Sequence, residues 1–260
     1  MLVRLDEGEP LGAVCDDGAR YDVYRDRATG LIFCRPFLSE QPDYKRVYAG
    51  DEYHVRRQCD VGHVPYRDRF DHDLQIARLR LQTLRVVFPA VDSLLDVGCA
   101  NGAFVAGALD AGLDAYGCDL NPDILRCGAA LDERLAGRLF GYDFETGAAA
   151  ASAPELPPGG MRALVLNDVI EHVVDPVAGL QHLRQFVGSD RAALVIDTPD
   201  TDSEGCRTLG VNWHHVRPVE HAYLFNERNL MDAVRAAFPQ AELQHTTRPI
   251  PGKLVVYVLI

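Results

Sequence analysis

Lysine is almost missing from this chain: of 26 basic residues only Lys45 and Lys253 are lysines, and the rest are arginines. None of the seven cysteines (Cys15, Cys34, Cys59, Cys99, Cys118, Cys127, Cys206) belongs to a C-x-x-C pair. An odd, unpatterned set supports neither a disulfide framework nor a zinc ribbon. No apolar run approaches the ~18 residues of a membrane span, and the opening segment carries Arg4, Asp6, Glu7 and Glu9 where a secretory signal needs an apolar stretch. These absences predict a soluble protein of the reducing cytoplasm with no membrane partner. Positive charge is short too. Against 38 acidic residues the net charge is −12, a field that repels polyanions and argues against a nucleic-acid partner. Almost all of the deficit falls on residues 91–260, with 12 basic and 23 acidic groups, which suits a cationic ligand better than a phosphate.

With 260 residues, 47% of them hydrophobic, the chain has material for one large or one medium-plus-small globular unit. From about residue 70, apolar runs alternate with amphipathic stretches. Leu74, Ala77, Leu81, Leu84, Val87 and Phe88 recur at helical spacing over 71–88 until Pro89 ends the run. Strands are expected at 93–99, 114–120, 138–144, 162–169 and 191–199, with helices at 103–112, 121–135, 175–187 and 226–238 between or after them. Residues 147–160 and 200–218 read as loops. Strands separated by helices imply parallel, right-handed crossovers with helices on both faces of the sheet. The last two strands, 241–247 and 253–260, are joined by a turn too short for a crossover, so they must be antiparallel. The predicted fold is a Rossmann-like, doubly wound α/β sheet of seven mostly parallel strands with an antiparallel C-terminal strand. An irregular N-terminal cap over residues 1–65 precedes the 66–260 domain.

Ligands of such sheets lie beyond the carboxyl ends of the central strands. There the sequence reads Asp96-Val97-Gly98-Cys99-Ala100-Asn101-Gly102, a turn glycine followed four residues later by a second. The G-x-G-x-x-G fingerprint of dinucleotide binding is absent. Asp119 ends the second strand 17 residues past Gly102, where a carboxylate can accept both hydrogen bonds of a ribose diol. Its other reading, a cap on the helix that begins at Pro122, is weaker because Asn121 is better placed for that. Asp143 and Phe144 close the third strand with an acid and a ring, matched to an adenine amino group and face.

Taken with NDVIEHVVDP (167–176), these elements resemble the class I S-adenosylmethionine-dependent methyltransferases over roughly residues 66–260. LLDVGCANGAFV is similar to the superfamily's first motif, GCDLNPDIL to its acidic second and LVLNDVIEHVVDP to its fourth-strand motif. WHHVRPVEHAYLF (213–225) is similar to a string in the bacterial small-molecule branch. The resemblance implies S-adenosylmethionine as cofactor, held by Asp96, Gly98, Cys99, Gly102, Asp119, Leu120, Asp143, Phe144, Asn167, Asp168 and His172. It implies a small-molecule acceptor methylated on oxygen or nitrogen, in specialised metabolism. RDRATGLIFCRP (25–36) resembles a degenerate zinc-ribbon leader of such enzymes, with Asp26 and Thr29 at cysteine positions, so no structural zinc is expected.

A base is optional in methyl transfer, but a histidine near neutral pKa can take a hydroxyl proton. His221, His172 and His215 are the candidates. Tyr48, Tyr53, Trp213, His214 and Tyr223 are candidate walls of the acceptor site. No catalytic metal is expected. The alternative is Mg²⁺ or Zn²⁺ on Asp168, Glu171 and His172, which would share one face if 168–172 were helical. Two other functions stay open: a nicotinamide-dependent reductase, and a cofactor-binding module without catalysis. The N-terminal segment either pairs two subunits as a homodimer or covers one site.

Overall fold

The computed structural model describes residues 8–16, 18–35, 64–151, 153–156, 160–187 and 191–260. Three antiparallel strands come first: β1 (Gly8–Asp16), β2 (Ala19–Asp26) and β3 (Ile32–Arg35). Then α1 (Phe70–Val87) leads into β4 (Val91–Val97), α2 (Ala103–Asp110), β5 (Asp114–Asp119), α3 (Pro122–Leu131) and β6 (Leu139–Asp143). β7 (Ala148–Ala149), β8 (Met161–Asn167), α4 (Pro176–His182) and β9 (Ala193–Pro199) follow. The rest is α5 (Glu204–Leu209), β10 (Tyr223–Leu224), α6 (Glu227–Ala237), β11 (Glu242–Thr247) and β12 (Lys253–Leu259).

The main sheet runs in the order β11-β12-β9-β8-β4-β5-β6-β7. β4 pairs in parallel with both β5 and β8, and β8 with β9, while β12 lies antiparallel between β9 and β11. The doubly wound sheet and its reversed end are those expected. Strand alternation explains the core. Leu95, Leu164, Leu166, Leu194, Ile196, Leu254 and Val256 point to one face, packed against Leu180 of α4 and Leu230, Val234 and Phe238 around α6. Leu94, Ala163, Val165, Val195, Val255 and Tyr257 point to the other, against Leu81 and Leu84 of α1 and Val105 and Ala106 of α2. Burial on both faces is why these strands read as continuous apolar runs rather than as alternating ones.

Three expectations are corrected. The sheet has eight strands, because Asp143 Oδ1 accepts from the amides of Glu145 and Thr146, and Gly147 (φ +73°) turns the chain back to pair β7 with β6. The loop expected at 200–218 contains α5, started by Ser203, whose side chain accepts from the amide of Cys206. Among the described residues of the N-terminal segment, 8–35 are not irregular: β1, β2, β3 and β10 form a second sheet in that order. Its Leu31 and Phe33 join the main core, and Val23, Ile32 and Cys34 pack with Cys206, Trp213 and Leu224 on the other side. Asp26 and Thr29, the two cysteine positions of the leader resemblance, bond each other instead, Thr29 Oγ1 donating to Asp26 Oδ1 at 2.7 Å. That carboxylate also accepts from the amides of Ala28 and Thr29, which fixes the turn into β3.

Candidate active site

A cavity of about 840 Å³ opens beyond the carboxyl ends of β4, β5, β6 and β8. Its floor is the turn after β4. Gly98 and Gly102 hold φ near +75° and Ala100 holds +46°, so three backbone units in five adopt the left-handed region. At Gly98 a side chain is excluded twice, by that φ and by Val169, whose Cγ2 would lie 2.5 Å from an added Cβ. Asp119 clamps the turn: one carboxylate oxygen accepts from the Ala100 amide and the other from the Asn121 amide, both at 2.9 Å. Asn121 in turn caps α3, its side chain accepting from the amides of Asp123 and Ile124, as its place before Pro122 predicts. Asn101 donates to the Tyr66 carbonyl at 2.6 Å, which ties the segment before α1 to the same turn.

Of the residues expected to hold a cofactor, Asp96, Gly98, Cys99, Asp119, Leu120, Asp143, Phe144, Asn167, Asp168 and His172 line the cavity. Gly102 stands behind it as the N-terminal cap position of α2. For the opposite wall the sequence offered only the 48–80 segment as a cover for the acceptor, without its residues. The wall comes from Tyr66 and Arg69 before α1, from His72, Asp73, Ile76 and Arg80 along it, and from Ile250 and Lys253 before and at the start of β12. Arg69 and Asp73 lock together through a bond of 2.8 Å. Lys253 had one signal in the sequence: it is one of two lysines and opens an otherwise apolar strand.

A polar chain crosses the floor between the walls. Arg80 donates to Asn167 Oδ1 at 2.8 Å and pairs with Asp197, while Asn167 Nδ2 lies 3.4 Å from Asp96 Oδ1. Lys253 pairs with Asp168, and its Nζ is 3.6 Å from Asp197 Oδ1. Burial dominates the acid–base behaviour. It pushes Asp96 up to about 8, opposed by the Asn167 hydrogen bond, and Asp197 up to about 6, opposed by Arg80. Burial also brings Lys253 down to about 7, with Arg80 acting in the same direction.

The other sequence candidates are placed elsewhere. Tyr48 and Tyr53 lie outside the described residues. Trp213 is buried under the N-terminal sheet, and Tyr223 is buried in the main core with its hydroxyl donating to the Val174 carbonyl. Both side chains fill packing space, so neither borders the cavity. His214 is exposed and His215 half-buried, both packed edge-on against Trp213 rather than lining the cavity. His221 is buried behind His172, its Nδ1 2.7 Å from the His215 carbonyl. The loop that carries these rings is drawn down by β10, which pairs with β3. His172 reaches the cavity but is anchored through Nδ1 to the Glu220 carbonyl at 2.9 Å, and burial lowers it to about 4.

The alternative metal set does not assemble. Residues Ile170–His172 form a 3₁₀ turn and Asp168 has a φ of +53°, so the shared helical face is lost. Asp168 turns to Lys253, while Glu171 is fully buried and accepts from Thr198 Oγ1 at 3.0 Å. Among the described residues, Glu171, His172 and His221 do bring one ligand atom each within 4.8 Å of one another. Burial raises Glu171 to about 8 and lowers both histidines, so near neutral pH the three are packed as uncharged groups.

This sheet order, with the reversed strand beside β9 and the glycine turn after β4, is the fold of the class I methyltransferases. The sequence matches the methyltransferase domain family over residues 68–237, and the chain belongs to that family. No curated protein matches it. Among solved structures, it resembles magnesium protoporphyrin IX methyltransferase of Synechocystis PCC 6803, solved with bound SAH. The identity is 15%, over 86% of this chain and 95% of that one, with a TM-score of 0.52. It also resembles the mitomycin 7-O-methyltransferase MmcR at 13% identity, over 85% of this chain and 62% of that one, TM-score 0.56. A third neighbour is an S-adenosylmethionine-dependent methyltransferase from Mesorhizobium loti, at 16% identity over 69% and 96%, TM-score 0.50. At these identities the likeness concerns the fold.

Proposed function

We propose that the chain is an S-adenosylmethionine-dependent methyltransferase that acts on oxygen or nitrogen of a small molecule. The observation that carries this reading is the left-handed turn after β4, clamped by Asp119 and opening into a cavity at the upper end of the size of ligand sites. A group with a ribose and an adenine fits the residues present. Asp119 uses its two oxygens on backbone amides and keeps acceptor capacity toward a diol, and Leu120 and Phe144 offer apolar faces beside Asp143. When bound, the cofactor supplies a methyl group on a sulfonium, so the protein's share is alignment and exclusion of water. Asp96, Asn167 and Arg80 form a fixed floor, and the start of α1 with Lys253 forms the wall that an acceptor would meet.

Titration calorimetry tests the reading. Wild-type chain should bind S-adenosylmethionine and S-adenosylhomocysteine, and Asp119→Ala should bind each at least ~10-fold more weakly through loss of a charge-assisted hydrogen bond. Binding of NADH in their place would point to the reductase, and tight binding without methyl transfer to any acceptor would point to a non-catalytic module.

A further inference from the structure

Resting on that reading, we propose that Lys253 is the general base of the acceptor site, with Asp168 as its outlet to solvent. Parallel strands bring their carboxyl ends to the cavity, so a residue at the start of a strand belongs on the far side of the sheet. β12 is reversed, and its first residue pairs with Pro199 at the end of β9, so Lys253 is delivered to the cavity edge. Gly252 (φ +85°) makes the turn that places it, its carbonyl accepting from the Asp200 amide.

In a chain that uses arginine 24 times, this wall carries a lysine, which unlike an arginine can release its proton near neutral pH when buried. It is held between Asp168 beyond β8 and Asp197 of β9, with Arg80 of α1 across from it and with Asp96 and His72 also on the cavity wall. The two carboxylates favour the ammonium. Burial and Arg80 oppose them and prevail, so the amine is available near pH 7. Of the three histidines expected as bases, His172 holds a proton only in acid, and His215 and His221 lie off the cavity.

As the acceptor oxygen or nitrogen bonds to the methyl carbon, its bond to hydrogen breaks and that proton joins the lone pair of Lys253 Nζ. The donor sulfur keeps the electron pair of its broken bond to carbon. The proton then leaves through Asp168, whose side chain is 44% exposed, and the amine is restored.

Two lysines make the test simple. Chain labelled with ¹³C at lysine Cε gives two signals, assigned by Lys253→Arg or, should that variant not fold, by Lys45→Arg. Both are followed against pH in the complex with S-adenosylhomocysteine and in the complex with sinefungin, which carries an amine near the position of the methyl group. The expected result is a Lys253 midpoint near 7 with S-adenosylhomocysteine, displaced downward by at least ~0.5 unit with sinefungin because a second cation has been placed nearby. A midpoint above ~9, or one that is the same in both complexes, overturns the proposal. Absence of S-adenosylhomocysteine binding by calorimetry overturns the methyltransferase reading and this proposal together, whereas binding with an ordinary lysine midpoint overturns only this one.

Discussion

Single residues set the behaviour of the site more than its overall charge does. Glu171 is the sharpest case: fully buried, it has one hydroxyl partner and a pKa raised to about 8. The folded chain therefore keeps a proton that the unfolded chain releases, so this group's contribution is intact below about pH 4.5 and is lost as pH rises through 8. Glu171→Gln, which cannot ionise, should gain stability relative to wild type by on the order of 2 kcal/mol between pH 6.5 and 8, measured by urea unfolding at each pH. A constant difference across that range would mean that Glu171 ionises normally. At Gly98 the expected change is steric. Gly98→Ala meets Val169 in a left-handed backbone and should lower stability by about 1–3 kcal/mol in thermal melts while weakening S-adenosylhomocysteine binding. The glycine spacing and Asp119 were legible in the sequence because the turn demands those residue types locally. Arg80 and Lys253 were not, since their place in the site depends on which strands become neighbours across some 170 residues of chain.

At the scale of elements, apolar periodicity located the helices and strands because the main sheet is buried on both faces and each helix presents one stripe. Errors collect where a polar turn decides the path. The hairpin at Asp143–Gly147 and the Ser203 cap of α5 rest on side chain to backbone bonds with no hydrophobic pattern. The rings of 213–223 were misplaced for the opposite reason: an aromatic string says that something is buried but not under what, and here Trp213 lies beneath the N-terminal sheet while Tyr223 enters the main core. Packing between elements also yields a prediction. A Cβ on Gly128 of α3 would lie 2.3 Å from the Asn101 carbonyl oxygen, so the helix rests directly on the turn after β4. Gly128→Ala should push α3 off that turn, costing more than about 2 kcal/mol despite the better helix propensity of alanine, and should weaken cofactor binding in calorimetry. Unchanged stability and affinity would show that the helix can shift without moving the site.

For the molecule as a whole, the two sheets are one structure. β10 comes from the loop after β9 yet completes the N-terminal sheet beside β3, and Phe33 and Leu31 enter the main core. Removal of residues 1–35 should therefore uncover Trp213, Leu224 and Tyr223, lower the melting temperature by more than ~5 °C and raise binding of a hydrophobic dye. A truncated chain that melts like the full one would show that the segment is dispensable for folding.

The strand order also governs how the chain reaches this state. β4 finds one neighbour, β5, soon after it emerges, but the other, β8, arrives only some 70 residues later, as in the pairing of Leu95 with Leu164. Until then a central strand offers an open hydrogen-bonding edge on which other chains can nucleate. Slow synthesis, low temperature or a chaperone that masks this edge would accordingly favour soluble product, and folding should take milliseconds or longer rather than the microseconds of a helical bundle.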